Sequence, residues 1–222
     1  MDASENLTHE QEAGVNPPLL FSLLLACCLF IFVLPVLTLP AGRWIKVALL
    51  TIIVVLAATV VASNNKLRIL AALSIIFSWI NTFTEVIYLQ YLGEILINTF
   101  SAWVVVRFVL QIMKRNRVSL YTLVEALLGY LLLGIIFTSI VAFVDFHVAH
   151  AYSIDLSNDL ERGYYTLITL TTTGYGDITP TAPITKSLSL VIAICGQFYV
   201  AVIVAIIVGK FSNQFSNYRQ GE

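Results

Sequence analysis

Apolar runs of roughly twenty residues, separated by short polar breaks, set the pattern of this chain. Six runs stand out, near Leu19–Leu39, Ile45–Ala62, Ile69–Thr84, Ile95–Met113, Thr122–Val144 and Ile184–Lys210. The breaks fall at Pro40-Ala41-Gly42-Arg43, at Ser63-Asn64-Asn65-Lys66, around Gly93, and at the basic Lys114-Arg115-Asn116-Arg117. About 20 apolar residues at ~1.5 Å each cross a hydrocarbon core. In lipid the backbone must satisfy its own hydrogen bonds, so the runs predict helices. The expected fold is an all-α integral membrane protein with six transmembrane helices.

Composition sharpens that reading. Of the 222 residues, 59% are hydrophobic and 11% charged, against about 25% charged in soluble domains. A formal net charge of −1 with no basic face argues against a nucleic-acid partner. Cys27, Cys28 and Cys195 all lie inside apolar runs, so they read as small buried side chains rather than a disulfide framework. The polar, acidic segment 1–18 lacks Lys and Arg and is unlike a signal peptide. With the N-terminus inside, seven basic residues (Lys66, Arg68, Lys114, Arg115, Arg117, Lys210, Arg219) face the cytoplasm and four (Arg43, Lys46, Arg162, Lys186) the outside. That bias predicts a multi-pass plasma-membrane protein with both termini cytoplasmic. The sequon at Asn6 then lies on the cytoplasmic side.

The most informative stretch lies between the last two runs. After a polar loop, Glu161 to Thr172 turns apolar again but is too short to cross, which predicts a re-entrant helix. It delivers Thr171 to Pro180, TTTGYGDITP. Irregular backbone at membrane depth persists only if it is buried in protein or lines a wet cavity. The glycines at 174 and 176 admit left-handed conformations, which lets successive carbonyls face one side, with the Thr172 hydroxyl adding an oxygen below them. Neutral oxygen ligands suit a monovalent cation that must leave again quickly. A single copy cannot ring an ion, and no internal repeat is present, so closure needs four chains around one axis.

Thr172-Thr173-Gly174-Tyr175-Gly176-Asp177, behind a short aromatic-led helix and ahead of a long apolar one, resembles the signature of the potassium-channel family. The resemblance runs from about Leu120 to Gln214 and is closest to the six-transmembrane prokaryotic type. It implies a passive, potassium-selective pore in a homotetramer, with K+ as permeant ion and no other cofactor. Carried over, Thr172, Thr173, Gly174 and Tyr175 supply ion-facing oxygens and Gly176 permits the outer turn. Tyr164, Tyr165 and Asp177 support the filter from behind. Thr173 departs from the family's usual valine, so its hydroxyl needs a partner. Ile168 stands where some relatives keep an acid, so Asp177 needs another partner as well. Gly196, 22 residues after Gly174, occupies the place of a hinge glycine, although a helix glycine equally serves close packing. Gln197 faces a cavity or bonds a neighbouring helix. Val200, Val204 and Val208 share one helix face; they line a cavity and gate, or simply pack.

The expected organisation is a cytoplasmic tail (1–18), a four-helix voltage-sensor-like unit (19–113), a linker (114–121), a pore unit (122–210) and a second short tail (211–222). Reading the fourth run every third residue gives Asn98, Ser101, Val104, Arg107, Leu110 and Met113, and only Arg107 is charged. Steep voltage gating takes about 3–4 charges per subunit, so weak or absent voltage dependence is expected. Glu85, Glu94, His147 and His150 read as solvated residues near the outer surface. No nucleophile–base pair, metal cluster or phosphate loop points to an enzyme. The remaining partners are the bilayer and a modulatory lipid or subunit. The alternative function is a non-conducting or modulatory subunit that assembles with another potassium channel.

Overall fold

A computed structural model describes residues 16–33, 35, 42–61, 65–84, 87–115, 118–156 and 158–219. The sequon at Asn6, the far end of the first expected span, Glu85, and the side chains of Arg43, Lys66, Arg117 and Arg219 lie outside what is described.

Among the described residues the chain is helical, without strands. Helix α1 (Pro17–Cys28) continues as a π-helical turn over Leu29–Val33. It is followed by α2 (Gly42–Val61), α3 (Asn65–Phe83), α4 (Ile87–Lys114) and α5 (Leu120–His147). A short α6 (Asp159–Leu170) and a long α7 (Pro183–Arg219) complete the order. Four stretches among the described residues are long and apolar enough to cross a membrane: Trp44–Val61, Tyr88–Lys114, Leu120–His147 and Pro183–Ser212. Pro17–Val33 and Leu67–Ile80 are apolar but shorter.

One expected break is displaced. Gly93 does not separate the third and fourth runs: it is buried inside α4, which begins at Ile87. A lone helical glycine costs about 1 kcal/mol relative to alanine. Packing of α4 against α3 and α5, the most extensive pairings among the described helices, outweighs that cost.

A core of Leu20, Leu23, Ala57, Phe100, Phe108 and Leu128 joins α1–α4 to α5. A second cluster, around Val141, Tyr152, Tyr165, Leu170 and Ile192, holds α6 between α5 and α7. Polar ties run along the joint between the two parts. Asn98 donates to Ser139 Oγ at 3.0 Å, Tyr91 and His147 share a 2.5 Å hydrogen bond, and Lys46 pairs with Asp159. Only residues 115–119 connect α4 to α5, and the Ser119 N–H donates to Thr122 Oγ1 at 3.3 Å as the new helix starts.

Candidate functional site, an exposed backbone segment held by a short helix

Helix α6 starts where the Asn158 side chain accepts a 2.9 Å bond from the Glu161 N–H. Asp159 and Glu161 in the first turn suit the positive end of the helix dipole. Its packed side buries Tyr165, Thr166, Ile168 and Leu170. The start lies two residues before the expected Glu161, and the helix ends at Leu170 rather than Thr172.

The exit from α6 is a Schellman arrangement. Thr173 N–H reaches Ile168 O at 2.9 Å and Thr172 N–H reaches Thr169 O at 3.0 Å. This motif requires a left-handed residue just past the cap, usually glycine. Here the position is Thr172, with φ +58°, an uncommon conformation for a β-branched residue. It costs of order 1–2 kcal/mol. Tyr130 donates to Leu170 O at 3.0 Å, so the last turn's carbonyls are bonded.

Beyond the cap, positive φ recurs at Gly174 (+52°) and Gly176 (+80°). Left-handed residues thus alternate with Thr173 and Tyr175. Such alternation rotates successive peptide groups so that like atoms face one side. The glycines were legible as permissive positions; the strain at Thr172 was not, because threonine gives no local signal for positive φ. Residues 171–177 are all exposed in the single chain, with Tyr175 at 72%.

The side chains behind this segment are paired. Thr173 Oγ1 lies 2.9 Å from Thr171 Oγ1, and the Thr171 hydroxyl is committed to Leu167 O at 2.8 Å. The Thr173 hydroxyl is therefore the donor of that pair, which supplies its missing partner. Asp177 Oδ2 accepts from the Tyr164 hydroxyl at 2.7 Å. That bond holds Asp177 below the usual carboxylate range and raises the Tyr164 phenol. Tyr165 reaches Ser189 Oγ at 2.5 Å, while Ser189 donates to Thr185 O. Tyr165 therefore ties α6 to α7. Past Asp177, Ser153 N–H bonds Thr179 O at 2.9 Å and Thr181 N–H bonds Ala151 O at 3.0 Å, fastening the exit to the preceding loop.

Helix α7 has two faces. Ile192, Gly196, Tyr199 and Ile203 pack inward, and Tyr199 donates to Ala126 O at 2.7 Å. Gly196 lies against the end of α6: a Cβ there would overlap Leu170 O and stand 2.9 Å from Leu170 C. Gln197 is exposed, as are Val200 (45%), Val204 (51%) and Val208 (60%). These four form one uncovered stripe.

At the far end of α7, Lys210 Nζ donates to the carbonyls of Ile112, Met113 and Arg115, capping the C-terminus of α4. Beside it Arg115 pairs with Glu125 at 2.6 Å, whose side chain is 1% exposed. The sequence placed Arg115 among the cytoplasm-facing basic residues and gave no sign of its buried partner, ten residues away. Arg107 stands over the Trp103 ring at 5.1 Å and has no ion pair among the described residues. His147 is exposed, yet both ring nitrogens are engaged, by Tyr91 and by Phe143 O at 2.7 Å.

Residues 148–213 match a family model described as "Ion channel". The match takes in the loop, α6, the exposed segment and most of α7. Together with the long apolar helices, it supports an ion channel in a membrane.

Proposed function

We propose that this chain is one quarter of a homotetrameric, potassium-selective channel, with Thr172-Thr173-Gly174-Tyr175-Gly176 as its selectivity filter. The observation that carries the reading is the alternation of positive φ at 172, 174 and 176 directly after the α6 cap. Backbone of that form offers a row of oxygens in place of a cation's water. Uncovered peptide groups at membrane depth need partners, and three further copies around an axis supply them. The resemblance, not the geometry, identifies the ion as K+.

In this reading α1–α5 and α7 are six spans, α6 is the pore helix, and both termini are cytoplasmic in the plasma membrane. The α6 C-terminus directs its partial negative charge towards the axis. Gln197, Val200, Val204 and Val208 line the cavity below, and the valine stripe closes by dewetting. Voltage dependence is weak or absent, because one charge crossing 100 mV contributes only about 2.3 kcal/mol and Arg107 stands alone in the expected register.

The test is the reversal potential of purified protein in planar bilayers, with potassium on one side and sodium on the other. A potassium-selective reversal with shallow voltage dependence is expected. Absence of current, or reversal near zero, would overturn the channel reading and favour a modulatory subunit.

A further inference from the structure

A cavity of about 710 Å³ lies between the α1–α4 unit and the α5–α6 pair. Its size and its place between two packed units are typical of ligand sites. Its apolar wall includes Ile31, Leu50, Ile97, Ile135 and Leu167. Its charged lining is Lys46, Glu94, Asp159 and Arg162, two cations and two anions. Lys46 and Arg162 lie within the first turns of their helices, as Glu94 lies in the early part of α4, so the charges gather towards one end. That end is the one bearing the 148–182 loop.

Two lining residues carry buried polar atoms without a partner among the described residues, the donor Arg162 Nε and the acceptor Asn98 Oδ1. The Asn98 amide nitrogen is already committed to Ser139, so its oxygen calls for a donor. Glu94, one turn earlier on the same face of α4, carries no ion pair among the described residues and is also acceptor-only when ionised. Arg162 already holds Asp145 at 3.2 Å and Asp159 at 3.7 Å through its terminal nitrogens, and Lys46 holds Asp159. The site therefore asks for an acceptor at Arg162 Nε and at the remaining Lys46 N–H groups, an N–H donor at Glu94 and Asn98, and an apolar chain alongside.

We infer that this cavity seats one phospholipid with a primary ammonium headgroup, drawn from the leaflet on the loop side. The phosphate meets Arg162 and Lys46, the ammonium meets Glu94 and Asn98, and one acyl chain fills the apolar part. A choline headgroup matches the charges but has no N–H to give Asn98. Gly163 and Leu167 of α6 form part of the wall, and the Leu167 carbonyl holds the Thr171 backbone and hydroxyl. The lipid thus braces the helix that carries the exposed segment. The inference depends on membrane insertion alone and stands or falls separately from potassium selectivity.

Delipidated full-length protein in detergent would be titrated with dioleoyl phosphatidylethanolamine, phosphatidylcholine or phosphatidylglycerol, and bound lipid per chain counted by native mass spectrometry. One phosphatidylethanolamine per chain is expected, retained about tenfold more tightly than phosphatidylcholine, the scale of one charge-assisted hydrogen bond. Glu94→Gln should erase most of that preference, while Ala142→Phe and Ile97→Phe, which fill the cavity, should lower retention of both lipids. Unchanged helical circular dichroism identifies the variants that fold. Equal retention of the ethanolamine and choline lipids, preference for phosphatidylglycerol, an undiminished preference in Glu94→Gln, or full retention in a folded cavity-filling variant would overturn the inference.

Discussion

Replacing Gly196 with alanine separates two roles for that residue. A Cβ there meets the oxygen, the carbon (2.9 Å) and Cδ1 (3.0 Å) of Leu170. The oxygen and carbon are backbone atoms at the end of α6 and cannot rotate away. Either α7 withdraws or the α6 terminus shifts, and Leu170 O then loses the 3.0 Å bond from Tyr130. Overpacking of this kind costs about 1–3 kcal/mol and the lost hydrogen bond about 1, so Gly196→Ala should lose about 2–4 kcal/mol of stability. The displaced end of α6 carries Thr172, so ion selectivity should degrade along with stability. Thermal unfolding in detergent and reversal potentials in bilayers measure the two effects. Gly209→Ala is the control: a Cβ there meets nothing within 4 Å, and the change should be neutral or stabilise the helix by about 1 kcal/mol. A glycine that serves only as a hinge predicts altered opening with unchanged unfolding and selectivity. That result for Gly196→Ala would refute the packing account.

Thr172→Gly should relieve about 1–2 kcal/mol of backbone strain while removing a hydroxyl oxygen; stability should rise and potassium affinity fall, whereas Thr172→Ser should retain most ion binding. Gly174→Ala, at φ +52°, should abolish selective current in bilayers. For Tyr164→Phe the expected change is in pH dependence. Asp177 is depressed first by the Tyr164 bond, so its support is present above the unfolded-state pKa and lost as pH falls through the depressed folded one. Removing the hydroxyl should move that acid transition to higher pH, read as current decay against pH; an unmoved profile would refute the assignment. Arg115→Met leaves Glu125 buried and unpaired, which should cost about 3–5 kcal/mol; a melting curve identical to wild type would show that the pair is not formed.

The α5 helix was legible to within three residues at each end, and α7 to within one residue at its start, because long apolar runs and the turn chemistry around Pro183 leave few alternatives. Helix α7 continues past the expected Lys210 to Arg219, where the hydropathy pattern had ended. The start of α4 was not, since Gly93 and Glu94 break the hydropathy pattern while α3 and α5 supply the packing that carries the helix through them. At the site, the glycines announced where the backbone could turn left-handed. The partners of Thr173 and Asp177 are set by the helical register of α6, which brings Thr171 and Tyr164 alongside them. That register depends on where the helix is capped, and Asn158 and the Thr172 turn fix it. The contact at Gly196 depends on how α7 crosses α6, a tertiary property that no local pattern encodes.

The connection from α4 to α5 is five residues, 115–119, which reach about 20 Å between helix ends even when fully extended. The α4–α5 joint, with its Asn98–Ser139 and Arg115–Glu125 contacts, therefore joins neighbours in sequence as well as in space. Contacts between sequence neighbours form early, because little loop entropy opposes them. This joint can close while the chain is still being synthesised, before α7 and its Lys210 arrive. Association with other copies would then bring together parts whose inner joints are already finished.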